Sequence, residues 1–343
     1  MKDFFPFLLI IVVGFAFGCQ KNHIITPPPE IPIPCHSQLE LIPITDTCFE
    51  PLPIDPWGFL PAYIGQNYFY RFASFDPSSY EQFLYFHDVL YSSFSIKGAN
   101  ICTGEIWTIM DSIQFSTSIT RLPKWSEKGW VLLVRWIGDN AFPWERGLYK
   151  IKSNGDSLKF LLNEEVDRPV WLNEGEKILC RNINTFERLI LNSDGEFIKN
   201  YPLKISPVVY YDGKFAGLMH APELRMVIAE DTVVTKQLWP VDQTNYDFNG
   251  LDWLNEDEIV WITSKGIYCG NINTEEYELV KEVCPNIYYS SISAARDGSN
   301  RLLLTRRDYL FENGITDSMS VRYNISLYDM DTGEEFYVKL GEM

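Results

Sequence analysis

The sequence predicts an all-β fold, a six-bladed β-propeller of four-stranded antiparallel blades, preceded by a signal peptide and a proline-rich linker. Two observations carry the propeller: a short motif recurs at intervals of 38 to 50 residues, and each interval holds about four strand patterns. A third is the scarcity of amphipathic helical periodicity anywhere in the repeat region.

The motif is an aromatic or apolar residue, a polar turn, and then an alternating apolar strand. Its copies begin at Phe75 (FDPSSYEQFLYF), Trp125 (WSEKGWVLL), Trp171 (WLNEGEKILC), Val209 (VYYDGKFAG), Trp253 (WLNEDEIVW) and Ala294 (AARDGSNRLLL), the first of them degenerate. Successive starts are 50, 46, 38, 44 and 41 residues apart, so six starts imply six blades. A second element follows in most units, as GLYKIKSNGDS, RLILNSDGEF, GIYCGNINTEEYEL and SLYDMDTGEEFYV. Here Asn154-Gly155, Asp194-Gly195 and Thr332-Gly333 supply turn positions that tolerate positive φ. Such small sheets bury both faces only against neighbours, which a closed ring provides. A solenoid or a stack of sandwich domains would show a shorter period or a second linker, and neither is present. Closure places the last strand, EEFYVKL, in the same blade as NYFYRFASF or an adjacent one.

The start of the chain speaks of location. Residues 1–18 carry one Lys and an apolar run from Phe4 to Phe17, enough for the core of a signal peptide but short of the ~20 residues of a spanning helix. Ala16-Phe17-Gly18-Cys19 resembles the bacterial lipobox. That resemblance implies lipidation at Cys19 and a membrane partner reached through the lipid; an ordinary cleaved signal and an uncleaved anchor are the alternatives. Gln20, where Asp retains lipoproteins in the inner membrane, implies the outer membrane by the same resemblance. HIITPPPEIPIP then reads as an extended polyproline spacer. The expected division is 1–18 signal, 19–58 lipidated N-terminus and linker, and 59–343 propeller.

The formal net charge is -17, with acids dispersed in pairs such as Glu164-Glu165 and Glu275-Glu276. A surface of that sign repels phosphate backbones, so nucleic acid is excluded as a partner. Of seven cysteines, Cys35 and Cys48 enclose a short loop before the repeats, where a bridge would add ~3 kcal/mol in the chain-entropy picture. Cys269 and Cys284 are out of register for a hairpin bridge, since residue 269 is expected opposite about residue 280. Cys102, Cys180, Cys269 and Cys284 are therefore expected as buried free thiols. No CxxC and no Cys/His spacing suggests zinc, and no cofactor is called for.

The WSEKGWVLL and WLNEGEKIL segments and the RDG and YDG turns resemble degenerate TolB-type propeller repeats, in which an aromatic precedes Ser-Pro-Asp-Gly and an apolar strand. The resemblance covers about residues 65–340 and implies architecture, since such repeats serve binding proteins, translocation partners and non-catalytic domains of peptidases alike. Intact Ser-Pro-Asp-Gly is almost absent here, and the fourth blade diverges.

Chemistry is sparse. The sequence has no Gly-x-Ser-x-Gly, GxGxxG, Walker loop or HExxH. The histidines, His23, His36, His87 and His220, are too dispersed for a triad or a metal cluster, and DMDTGEE at 329–335 lacks the EF-hand pattern. Asp167, Asp247 and Asp308 are the candidate carboxylates on the face formed by inter-blade links and second-to-third-strand loops, where a glycosidase pair would sit. The same face offers Trp144, Arg168, Tyr246, Asp247, Arg306 and Arg307 as candidate ligand-binding residues. The 305–323 stretch is the longest interruption within a blade. Two functions follow: a non-enzymatic envelope protein holding a protein or glycan partner, or a glycosidase-like hydrolase. A deep cluster of the three aspartates would favour the second, a shallow aromatic mouth the first.

Overall fold

In a computed structural model of the chain the described residues are 37–44, 68–89, 93–111, 124–135, 147–205, 208–220, 223–241, 250–311 and 319–340. All lie within one of the two units into which the chain divides, Cys35–Met343. They form six antiparallel sheets whose strands follow one another in sequence order. Five sheets have four strands and cover 68–110, 124–162, 166–201, 208–240 and 251–282; the sixth takes four strands from 287–338 and a fifth, Leu41–Pro43, at its edge.

The first strands of the six blades touch one another in order round a closed circle, from Tyr68–Asp76 to Ile287–Ala294 and back. They are the inner strands, and the fourth strands face solvent, as in Phe197–Tyr201, where only Tyr201 is buried. Six apolar clusters correspond to the six blade interfaces, each with side chains from two successive blades. Between the fourth and fifth blades Trp239 stacks on Trp261 at 5.0 Å with 13° between planes, and Trp261 on Tyr268 at 5.6 Å. Such ring pairs contribute ~0.5–1.5 kcal/mol beyond the area they bury.

All six motif copies fall where the inner strand turns into the second strand. The apolar residue ends the inner strand and is buried, as Phe75, Trp125, Trp171, Val209, Trp253 and Ala294 all are. The hairpin glycines also behave as expected: Gly155, Gly195 and Gly333 have φ of 89°, 90° and 74°. At Gly195 a Cβ would stand 2.3 Å from the Leu161 carbonyl oxygen, so the turn also packs on the neighbouring blade.

Closure joins the sixth blade to the first. Leu303, Ile325 and Leu327 pack with Phe75, Phe83 and Tyr85, and the Phe75 amide donates to Ser293 Oγ at 3.1 Å. The last strand and the first inner strand are thus in adjacent blades, as ring closure requires. A further fastening comes from residues 41–43, inside the stretch expected as linker: Leu41 pairs with Val338 and Pro43 with Phe336. Proline is tolerated there because this is the sheet's outer edge. The Gln38 amide donates to the Ile101 carbonyl at 3.1 Å, so the segment bridges the sixth blade and the first.

Two expectations need correction. Cys102 and Cys284 are not free thiols, for both are disulfide-bonded, whereas Cys180 and Cys269 are free. Cys269 lies opposite Glu278, two residues from the position expected, and the hairpin bridge to Cys284 is indeed excluded. The 305–323 stretch is mostly not a loop: Arg301–Phe311 and Met319–Asp329 extend the blade as paired strands out to Phe311 and Met319. The expected Cys35–Cys48 bridge and Cys19 lie outside the described residues.

Candidate functional site

The end of the ring where inner strands turn back opens into a cavity of about 690 Å³. Its wall is the repeat motif itself. Phe75, Trp125, Trp171, Tyr210 and Tyr211 come from the first four blades, and Asp252, Ala294 and Arg296 complete the circle. A repeat that places an aromatic near the end of most inner strands gathers those aromatics round one axis once the ring closes.

Inside this mouth one ion pair ties three blades. The buried Asp252 carboxylate accepts the Arg296 guanidinium at 2.8 Å, the Trp253 amide at 2.9 Å and the Ala294 amide at 3.0 Å. Arg296 also donates to the Trp253 carbonyl at 3.1 Å, and its guanidinium lies 4.9 Å from the centre of the Tyr211 ring. Burial pushes the Tyr80 phenol up to about 12, with the negative fields of Asp252, Tyr211 and Glu127 adding to it and Arg296 opposing. Five blades therefore bring titratable groups within reach of one another. Asp252 already balances Arg296, so the pair fastens the wall.

The rim is different. Glu127, Glu174, Glu176 and Asp212 are exposed around the opening, and Lys128 pairs with Glu176 at 3.4 Å. Glu174 and Asp212 hold positive φ, 54° and 42°, at the tips of their turns. The mouth thus combines an aromatic wall with surplus negative charge. Trp125, 7% exposed, keeps a buried indole N–H without a hydrogen-bond partner. Among the described residues no group of three or more His, Cys, Asp or Glu could hold a metal ion.

The residues expected from sequence sit elsewhere. Asp167 and Arg168 begin the inner strand of the third blade, at the end of the ring opposite this mouth. Asp167 is buried and held by both nitrogens of the Arg181 fork, with Nε at 2.8 Å. Asp308 is buried in the sixth blade, where burial raises its pKa against the pull of Arg306 at 2.7 Å. The two belong to different blades and each is held by an arginine of its own sheet. Arg306, 2% exposed, is no ligand contact: it also donates to Glu335 at 2.8 Å, inside the sheet. Arg307 lies against Tyr288 and Tyr323, 5.0 and 4.9 Å from their ring centres. Trp144, Tyr246 and Asp247 lie outside the described residues. Sequence reasoning missed Tyr80, Glu127, Glu174, Tyr211, Asp212, Asp252 and Arg296, although the recurring aromatic at the strand end was the signal for that face.

No family model and no curated protein matches the chain. Solved structures similar to it include TolB from Acinetobacter baumannii, 13% identical over 80% of this chain and 55% of that one, with a TM-score of 0.44. A structure assigned as TolB from Agrobacterium tumefaciens is 12% identical over 68% and 84% of the two chains, at 0.46. A puromycin-hydrolyzing peptidase of Mycobacterium tuberculosis is 12% identical over 86% and 56%, at 0.48. The chain spans little more than half of the first and third of these proteins. Likeness at this level carries no argument beyond the fold described above.

Proposed function

We propose that this chain is a non-enzymatic envelope lipoprotein whose propeller mouth holds a protein partner near the outer membrane, the partner presenting a basic side chain. The observation that carries this reading is the mouth itself, a cavity of about 690 Å³ with aromatic walls and an acidic rim. Aromatic faces and carboxylates together suit an ammonium or guanidinium group, which gains from both cation–π attraction and charge. The glycosidase reading loses its support among the described residues, because Asp167 and Asp308 are each bound to arginine. The sequence around Cys19 supports the anchor and Gln20 the outer membrane.

A photoreactive residue in place of Glu127, in the full-length protein in cells, tests the partner. The expected result is one discrete adduct that protease removes and glycosidases leave intact, and that disappears when Glu174→Lys and Asp212→Lys are added. A glycan adduct, or a protein adduct indifferent to those reversals, overturns the reading. For the anchor, Cys19→Ala should leave the detergent-soluble membrane fraction; retention there without lipid overturns that part.

A further inference from the structure

The third blade carries a row of four side chains that its register aligns across the sheet. Asp167 lies opposite Arg181, Arg181 opposite Arg188, and Arg188 opposite Tyr201. Cross-strand partners point to the same face, so two guanidiniums stand side by side, an arrangement that costs stability when nothing lies between them. A third guanidinium joins from Arg168. The pairing shifts between Asp167 and Val170, and Arg168 has a φ of 49° although Pro169 follows it. Such a bulge re-aims a side chain at the expense of backbone strain. Arg168, Arg181 and Arg188, with Leu179, Cys180 and Val208, line a hollow of about 20 Å³.

Asp167 is held by Arg181, and Arg168 Nε lies 3.9 Å from it. Arg188 is left with a buried Nη1 that has no hydrogen-bond partner, and beside it the Tyr201 hydroxyl, on a residue 3% exposed, has none either. Burial, then the charges of Arg181 and Arg168, depress the Arg188 pKa to about 10, with Tyr201 and Asp167 opposing. Two adjacent unsatisfied donors are costly unless a ligand completes them.

We propose that the third blade holds an anion subsite in which Arg168, Arg181 and Arg188 receive one acidic oxygen of a carboxylate- or phosphate-bearing ligand. The hollow accommodates about one water-sized atom, so the rest of the ligand extends outside it. Arg188 Nη1 is the donor an oxyanion would satisfy, and the guanidinium pair is the charge it would offset. The site lies at the opposite end of the ring from the aromatic mouth and is independent of it.

Inorganic phosphate and acetate, each titrated into the full-length protein at constant ionic strength against chloride, test the subsite. We expect a saturable rise in Tm and saturable broadening of the phosphate ³¹P resonance. Arg188→Gln should abolish both, while Glu174→Lys with Asp212→Lys at the mouth should leave them unchanged. Response to both anions assigns the site to any oxyanion, and response to phosphate alone to a phosphate-bearing ligand. Should Arg188→Gln fail to fold, Arg168→Gln, altering a side chain 30% exposed, takes its place. No saturable response, an equal response to chloride, or an unchanged response in the arginine variant overturns the proposal.

Discussion

The third and sixth blades each bury arginine among acids and tyrosines, and they balance the charge differently. In the sixth, Arg306 donates to Asp308 and Glu335, Glu335 also accepts the Tyr289 hydroxyl at 2.7 Å, and the Tyr337 hydroxyl donates to Asp308 at 2.7 Å. Lys281, from the fifth blade, adds a second cation 3.2 Å from Glu335. In the third blade Arg181 holds Asp167, Arg168 Nε lies 3.9 Å from the same carboxylate, and two polar atoms of the row, Arg188 Nη1 and the Tyr201 hydroxyl, lack hydrogen-bond partners. Proximity of arginine to acid in the sequence is therefore a poor guide to a ligand site. The balance of charge after folding separates a fastening from a receptor, and the blade that closes the ring is the one that is balanced.

The largest effect should come from breaking that balance. Glu335→Ala removes the carboxylate that Arg306 and Lys281 both approach, in a region almost wholly buried. Removing one partner of a buried ion network costs ~3–5 kcal/mol, and urea unfolding should show a loss of that order. A loss under ~1 kcal/mol would mean that water already reaches the network and that the two blades do not differ as described.

Next in size is the covalent fastening by Cys102 and Cys284. Cys284 packs between the fifth and sixth blades, while Ile101, next to Cys102, packs between the sixth and the first. Those are opposite faces of the sixth blade, so the two cysteines do not bond to each other. Mass mapping without reductant should find Cys102 and Cys284 in two separate bridges, with Cys180 and Cys269 free, and reduction should cost ~2–4 kcal/mol per bridge. A Cys102–Cys284 product, or a bridge to Cys180 or Cys269, would contradict the packing on opposite faces.

The parts of this molecule legible in the sequence are those that repeat. Six apolar residues followed by polar turns located every inner-to-second-strand turn, because a turn and a strand end are local events. Leu41–Pro43 was invisible: three residues among prolines carry no alternation, and only the partner strand makes them a strand. The arginine row was hidden for a related reason, since residues 167, 181, 188 and 201 meet only through register. Arg168 was singled out for its loop, and its companions could not be. The sequence reading looked to the other end of the ring because loop length was weighed above the recurring aromatic. Asp252 reads as one polar residue of an alternating strand until Arg296 arrives from the next blade.

The smallest effect separates the two regions by pH. Guanidiniums stay charged from pH 5 to 8, so the third blade's row should contribute no slope of stability over that range. The first blade, next to the seam, has His87 on its second strand, opposite Tyr70 and Ser95. Partial burial, then the charge of Lys97, lowers the His87 pKa below the ordinary 6.5. The folded state therefore resists a proton that the unfolded chain accepts, and stability falls as pH drops below 6.5 toward the folded value. His87→Gln should flatten that part of the profile and leave stability above pH 7 nearly unchanged, whereas Arg188→Gln should shift the whole profile without altering its slope. Urea midpoints of the three proteins between pH 5 and 8 measure this. A slope that survives His87→Gln would show that His87 is not its source, and one that vanishes in Arg188→Gln would assign the pH response to the third blade.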